Sequence, residues 1–174
     1  GAAPDAELPL ARGAASQSST AWGGDAGNAV AGAPDPMYHR GRCTHTTAEV
    51  NPWWRVDLGA RQSVRHVRVT NRGDCCSERL AGFEIWLSSR AAPRFQDGER
   101  CAVEGAPLAA GETRTIPCKG FGGAVWLVLP GPGLRVLTLC GVGVGVEPRG
   151  AKSLAAGPTA GPPGRGAPPR SRRR

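Results

Sequence analysis

Two arginines, a histidine, an acid and two adjacent cysteines are the residues of this chain best suited to hold a hydroxyl-rich ligand. They form the pattern H-x26-R-x-D-x4-R, running from His45 through Arg72 and Asp74 to Arg79, with Cys75-Cys76 inside it. A sugar offers hydroxyls that donate and accept, a ring oxygen that only accepts, and apolar C–H faces. Arg suits such a ligand because its rigid planar fork supplies several donors and keeps its charge. Asp74, between Arg72 and Arg79, offers an acceptor that orients the guanidinium groups and limits the repulsion of two like charges sharing a pocket. His45 adds a nitrogen able to donate or accept. A disulfide between neighbours Cys75 and Cys76 would close a tight ring whose sulfurs form a small polarizable knob, suited to a sugar's C–H face. Taken singly, the arginines read as surface ion-pair partners, His45 as a loop residue, and each cysteine as a staple to a distant partner. Their joint spacing favours one shared site.

Other chemistries fare worse. Arg72-Gly73-Asp74 spells an integrin-recognition tripeptide, but three residues recur by chance and these sit in a cysteine cluster. His45 with Cys75 or Asp74 could be imagined as base and nucleophile, yet an oxidising setting argues against a free thiolate, and no glycosidase-like carboxylate pair stands out. The expectation is a binding protein, not an enzyme. Trp22, Tyr38 and His39 lie in loop-like sequence upstream of His45, where any of them could flank a ligand or simply pack the loop.

The elements that must position these groups read as strands. Val64, Val67 and Val69 show partial alternation, while Phe83, Ile85 and Leu87 alternate cleanly with Glu84, Trp86 and Ser88. Further strands are expected at Val125–Leu129, at Val136–Leu139 and at Val142–Val146. The stretch Trp53-Trp54-Arg55-Val56-Asp57-Leu58-Gly59 reads as core and strand edge leading into a turn, with at least one Trp buried because neighbours in a strand face opposite ways. No long amphipathic helix is evident. Many short strands bounded by turn residues argue for an all-β fold, an antiparallel β-sandwich whose loops carry function.

At 174 residues the chain suits one domain plus tails. The formal charge of +8 is concentrated at one end. Arg149 to Arg174 hold seven basic residues and no acid, leaving fifteen basic against fourteen acidic residues in the remainder. Residues 148–174, rich in Gly, Pro and Arg, are expected to form a disordered tail able to contact polyanions or simply to stay solvated. Residues 1–8 are expected to be flexible, leaving 9–147 as the domain. No apolar run is long enough to cross a bilayer, so no membrane insertion is expected, and the N-terminus lacks a signal-peptide layout, so any export signal is expected to be already absent. The six cysteines, at 43, 75, 76, 101, 118 and 140, lack zinc-type spacing and read as disulfides, hence an oxidising, extracellular setting. Their pairing stays open on arithmetic alone, though the adjacent pair and the step from Cys101 to Cys118 suggest local closures.

With these residues in view, the chain resembles the F-type lectins, the fucolectin family of eel agglutinin and tachylectin-4. The resemblance rests on Cys43-Thr44-His45-Thr46, on Asn51 to Gly59, on Asn71 to Cys76 and on Arg79-Leu80 with Gly82, and it extends from about Leu10 to Glu147. It implies a jelly-roll β-sandwich of the discoidin-like kind and recognition of terminal α-L-fucose on glycans. His45, Arg72 and Arg79 would then bond the ring oxygen and hydroxyls, Asp74 would support them, and the Cys75–Cys76 cystine would lie against the ring. It implies Cys43–Cys140 and Cys101–Cys118 for the remaining cysteines, and a wall from Trp22, Tyr38 or His39 for the fucose methyl. A secreted protein of innate recognition is the implied role. A discoidin-like adhesion or membrane-surface module without fucose specificity is the alternative. Oligomeric state is open; a homo-oligomer would add avidity.

The resemblance also implies a structural calcium ion, and here the sequence departs. Relatives place a carboxylate where this chain has Ala31 and a Glu where it has Gly141, and Arg42 stands where a small hydroxyl residue is common. The backbone carbonyls of Asn28, Ala33 and Cys140 remain available. Calcium is a hard cation whose affinity depends on charged oxygen ligands, so the site is expected to be weak or lost.

Overall fold

The computed structural model describes residues 3–149. The expected disordered tail, and any polyanion contact it makes, lie outside the described residues from Gly150 on. Seven strands make an all-antiparallel sheet: β1 (Ala6–Glu7), β2 (Ala15–Gln17), β3 (Trp53–Thr70), β4 (Phe83–Ser88), β5 (Glu99–Glu104), β6 (Thr113–Val128) and β7 (Gly141–Val146). They run in the order β1-β7-β3-β6-β4-β5, with β2 beside β3.

Two long strands turn this sheet into a sandwich. β3 and β6 pair along most of their length, and their register slips between Asp57 and Gln62 and again between Val64 and His66. On one side of these irregularities lie β2, the start of β3, the end of β6, β4 and β5. On the other lie β1, β7, the end of β3 and the start of β6. Apolar residues from both halves meet in one core, including Trp54, Val56, Ile85 and Leu127 from the first and Val67, Val69, Ile116 and Val144 from the second. Strands that change sheet at bulges are a common way to build such corners.

The second irregularity explains why the alternation in β3 is only partial. Trp54, Val56, Leu58 and Val64 are buried at even positions, whereas Val67 and Val69 are buried at odd ones. A single extra residue reverses which face each side chain takes. The clean alternation expected in β4 is observed, with Phe83, Ile85 and Leu87 buried.

Two expectations need correction. Residues 1–8 are not uniformly loose: Ala6 and Glu7 pair with Val146 and Gly145, and the Leu8 amide donates to the Val144 carbonyl at 2.9 Å. Glu7 forms an ion pair with Arg68, and Asp5 lies 3.2 Å from His66 Nδ1. The glycines of β7 leave room for these side chains, since a Cβ at Gly143 would strike Glu7 and Arg68 and one at Gly145 would strike His66. Val136–Leu139 is likewise extended chain outside the regular ladder. Thr44 and Thr46 donate their amides to the carbonyls of Leu139 and Leu137, but the return bonds from the Leu139 and Leu137 amides go to the threonine hydroxyls, at 3.0 and 2.9 Å. Side-chain oxygens replace the carbonyls of a regular strand.

All three disulfides match the pairing implied by the family resemblance: Cys43–Cys140, Cys75–Cys76 and Cys101–Cys118. The first joins residues 97 apart, and cross-links over roughly 100 residues are worth ~4.7 kcal/mol in the chain-entropy account. It anchors the segment that carries His45 to the chain entering β7.

Candidate functional site

The pairing of Thr44 and Thr46 with the 137–139 segment decides where His45 points. In extended chain, neighbours alternate sides. With both threonines fully buried toward Leu137 and Leu139, His45 faces the other way. The loop ahead of it clamps the same residue: the His45 amide donates to the Gly24 carbonyl at 2.9 Å, and the Ala21 amide donates to the His45 carbonyl at 2.9 Å. Only glycine fits at 24, because a Cβ would collide with the His45 backbone. Trp22, in the left-handed region at φ 54°, is thereby held at the rim with 83% of its surface exposed.

The arginines come from the loop that leaves β3. Asn71, 1% exposed, organises it: its Nδ2 donates to the carbonyls of Ser77 and Leu108, both at 3.0 Å, and its Oδ1 accepts the Arg72 amide at 2.8 Å. Gly73 lies flat against a neighbouring turn, where a Cβ would come within 3.0 Å of Pro36 Cβ and 3.3 Å of Gly111 Cα. Cys76 takes a left-handed conformation at φ 61°, and the short 3-10 turn Ser77–Arg79 follows it.

These two segments meet around a hollow of about 390 Å³ lined by Trp22, Tyr38, His45, Arg72, Cys75, Cys76 and Arg79. Arg72 is held on two sides. Its Nε and Nη2 donate to Asp74 Oδ1 and Oδ2 at 2.7 and 2.9 Å, and its Cζ sits 4.3 Å from the centre of the Tyr38 ring. Such cation–π contacts add roughly 0.5–1 kcal/mol at exposed sites. The Arg79 guanidinium, by contrast, has no hydrogen-bond or ion-pair partner among the described residues. One arginine is oriented and the other is left free for a ligand.

Protonation follows from the same contacts. The Arg72 hydrogen bonds hold the Asp74 carboxyl down to about 2, so the pair stays ionised across the physiological range. Burial pushes the His45 imidazole below its ordinary 6.5, and the charges of Arg79 and Arg72 push it further, against the opposing effect of the Thr46 carbonyl. His45 Nδ1 lies 2.7 Å from that carbonyl, which can only accept, so Nδ1 carries the hydrogen and Nε2 of the neutral ring is an acceptor.

Of the nine residues expected at the site, seven line the hollow. Asp74 stands behind Arg72 as its ion-pair partner. His39 is exposed and does not line the hollow, being the second residue of the 3-10 turn Tyr38–Arg40 that aims Tyr38 inward. Tyr38 does more than form a wall. Its hydroxyl donates to the Trp22 carbonyl at 2.7 Å, its amide donates to Asp74 at 3.4 Å, and its ring meets His45 edge-on at 5.8 Å. It ties together all three loops. The integrin reading loses its basis, because Arg72 folds back on Asp74 and Gly73 is wedged against Pro36. Cys75 is oxidised and Asp74 is pinned, so neither is free to act as a nucleophile. A separate hollow of about 260 Å³, bordered by Glu7, Arg68 and Gly143, contains none of the motif residues.

Two of the three carbonyls suggested by the resemblance as calcium ligands, those of Asn28 and Cys140, already accept backbone hydrogen bonds. The Arg42 guanidinium donates to the Ala31 carbonyl. The Asn28 carbonyl accepts the Ala31 amide at 3.4 Å, and the Cys140 carbonyl accepts the Asp35 amide at 3.3 Å. A set of neutral carbonyls without a carboxylate, with a guanidinium at the nearby Ala31 carbonyl, does not fit a hard dication.

The chain is similar to known proteins over most of its length. The profile of the family described as NedA-like, galactose-binding domain matches residues 28–125. The fucolectin of Anguilla anguilla is 38% identical over 141 residues, covering 78% of this chain and 89% of the eel protein. Among solved structures, a fucolectin from striped bass (Morone saxatilis) serum superposes with a TM-score of 0.71 at 39% identity, over 76% of this chain but only 46% of that longer one. The lectin domain of lectinolysin, solved with Lewis B antigen, gives 0.63 at 34% identity over 75% of this chain and 89% of its own. The chain belongs to the F-type lectin (fucolectin) family.

Proposed function

We propose that this chain is a secreted lectin that binds terminal α-L-fucose on glycans, without chemistry on the sugar and without a need for calcium. One observation carries the reading: Arg72, Arg79 and His45 converge with the Cys75–Cys76 cystine on one hollow of about 390 Å³. In it, Arg72 and Arg79 donate to the ring oxygen and hydroxyls, and His45 Nε2 accepts from a hydroxyl. The cystine covers a C–H face, and Tyr38 and Trp22 border the methyl group. A sugar lacking a matching hydroxyl leaves a buried polar group unpaired, which is the source of selectivity. Disulfides favour an extracellular setting, and the bass relative is a serum protein; a role in innate recognition is consistent with both.

The test is a glycan array with free L-fucose as competitor, run with calcium and with chelator. Binding confined to fucosylated glycans, displaced by fucose and equal in both buffers, is expected. Binding that fucose does not displace favours the discoidin-like adhesion alternative, and a tight stoichiometric calcium requirement contradicts the assignment of Arg42 to that loop.

Affinity should also depend on pH through His45. Because its folded pKa lies below the ordinary 6.5, the ring remains a neutral acceptor at a pH where a free imidazole is already half protonated, so fucose affinity is expected to hold from pH 8 through 6.5 and to fall only in more acid solution. The linked stability has the same sign. It is full above the unfolded pKa and is lost as pH falls through the lowered folded value. A calorimetric titration series checks this, and a midpoint at or above 6.5 contradicts it.

A further inference from the structure

The corner where β3 and β6 pass from one half of the sandwich to the other gathers positive charge. Up to Pro148 the chain is nearly balanced, with fifteen basic and fourteen acidic side chains. At this corner Arg55, Arg61, Arg90 and Lys119 stand against a single acid, Asp57. Glu147, which follows β7 to the same corner, is taken by Arg65 at 3.3 Å. We propose that this corner is a second binding surface, for a linear sulfated polysaccharide, and that it works independently of the fucose hollow.

β6 sets the cations in a row. Lys119, Phe121 and Gly123 occupy alternate positions of the strand, so each is about 7 Å from the next. Lys119 is exposed and has no hydrogen-bond or ion-pair partner among the described residues. The Arg61 guanidinium lies 4.7 Å from the centre of the Phe121 ring and likewise has no such partner. Arg90 crosses Gly123, where a Cβ would come within 2.4 Å of its Cγ. Its Nε donates to Asp57 Oδ1 at 2.8 Å while 55% of the side chain stays exposed. Arg55 completes the row: its Nη2 donates to the Arg90 carbonyl at 2.6 Å, and its Cζ sits 5.2 Å from the centre of the Trp126 ring. Arg55 and Arg90 border a hollow of about 460 Å³, with Gly13, Ser16 and Gly59 among its other walls. None of its lining residues belongs to the fucose hollow. The β3 residues 62–70, roughly 30 Å of extended chain, separate this corner from the loop of Arg72 and Arg79.

Two guanidiniums against one carboxylate leave the hollow with net positive charge, which favours an anion. A sulfate ester offers the tetrahedral oxygens that a guanidinium fork grips in pairs. A polymer repeats that group along the row, so contacts that are weak singly add on one chain. Steps of about 7 Å also keep neighbouring cations within one screening length, about 8 Å at physiological ionic strength. Nucleic acid is the less suited polyanion, because Phe121 and Trp126 already carry guanidiniums and offer no bare ring for a base to stack on. The Glu147 amide donates to the Ser63 carbonyl at 2.8 Å, so the sequence of residues 150–174, with six basic residues and no acid, is attached at this same corner.

The test is calorimetry of the full chain with a heparin-derived hexasaccharide, at physiological salt and at a higher salt concentration. Saturable binding that weakens as salt rises is expected. The double variant Arg61→Ser, Lys119→Ser is expected to bind about 10-fold more weakly or worse. Its thermal unfolding midpoint should barely move, because exposed cations contribute little to stability. The charge-keeping double variant Arg61→Lys, Lys119→Arg is expected to stay within about 2-fold of the unaltered chain, a result that a merely structural role would not give. The proposal is overturned if no saturable binding occurs, or if the serine variant also stays within about 2-fold, which would assign the binding to residues 150–174 or elsewhere. Displacement of the hexasaccharide by methyl α-L-fucoside, or equally tight binding of single-stranded DNA of the same charge, overturns it as well.

Discussion

Arg72→Ala is expected to reduce fucose affinity by about 100-fold or more, equivalent to ~3 kcal/mol, while the thermal unfolding midpoint changes little. The loss has two parts. Donors to the sugar disappear, and hydrogen bonds from a charged donor are worth about 1.5–3 kcal/mol each. Asp74 also loses both of its bonds to Arg72, at 2.7 and 2.9 Å, keeping the Tyr38 amide at 3.4 Å, and a carboxylate without its ion-pair partner then borders a hollow meant for hydroxyls. The fold has little reason to follow, because the backbone bonds at this position, from the Arg72 amide to Asn71 and from Gly111 to the Arg72 carbonyl, do not involve the side chain. Arg72→Lys separates charge from geometry. An ammonium keeps the charge but cannot pair with both Asp74 oxygens in a planar fork or stack as well on Tyr38, so a large loss is expected there as well. If calorimetry finds either variant within about 2-fold of the unaltered chain, Arg72 does not hold the ligand.

Opening the Cys75–Cys76 cystine is expected to weaken fucose binding by about 10-fold, or ~1.4 kcal/mol. The three disulfides differ in access. Cys43, Cys140 and Cys118 are 1%, 0% and 0% exposed, whereas Cys75 lies at the surface. Exchange requires a thiolate to reach a sulfur, so mild reductant should open the adjacent pair first and release two thiols. Freed from the ring, Cys76 has less reason to keep its left-handed conformation at φ 61°, and the turn that positions Arg79 follows directly from it. The double variant Cys75→Ser, Cys76→Ser should reproduce the effect without reductant. Thiol counting, circular dichroism and calorimetry together check it. Unchanged affinity after release of those two thiols would show that the cystine is only a staple.

Much of this site was legible because its chemistry is concentrated in side-chain identity at short range. Arg72, Asp74, Cys75, Cys76 and Arg79 occupy one loop, and His45 is displaced from them by a spacing that points to a joint site. The buttressing was not legible. Tyr38 reads from sequence as one loop aromatic among several, and nothing local says that its ring lies under Arg72 or that its hydroxyl reaches the Trp22 carbonyl. Asn71 reads as a strand-end polar residue, although its amide holds two distant carbonyls. In the fold, strands with undisturbed period, such as β4, were evident. The places where reading failed have physical causes. The reversal of facing between Val64 and Val67 comes from an inserted residue, and the 136–139 segment is completed by threonine hydroxyls that no periodicity records. β1, β2 and β5 are missed because the first two are two and three residues long and the third, Glu99–Glu104, has three charged residues and an exposed Val103 and so shows no apolar face.

The central claim is that fucose is held by His45, Arg72 and Arg79 together. Its most direct test is an NMR titration of the labelled chain with L-fucose, following the Nε–Hε resonances of the arginines and the ring resonances of His45. Saturable shifts at Arg72, Arg79 and His45, with Arg68 in the hollow beside Glu7 unmoved, are the expected result. Saturable binding that leaves those three residues unperturbed, or no saturable binding at all, would contradict it.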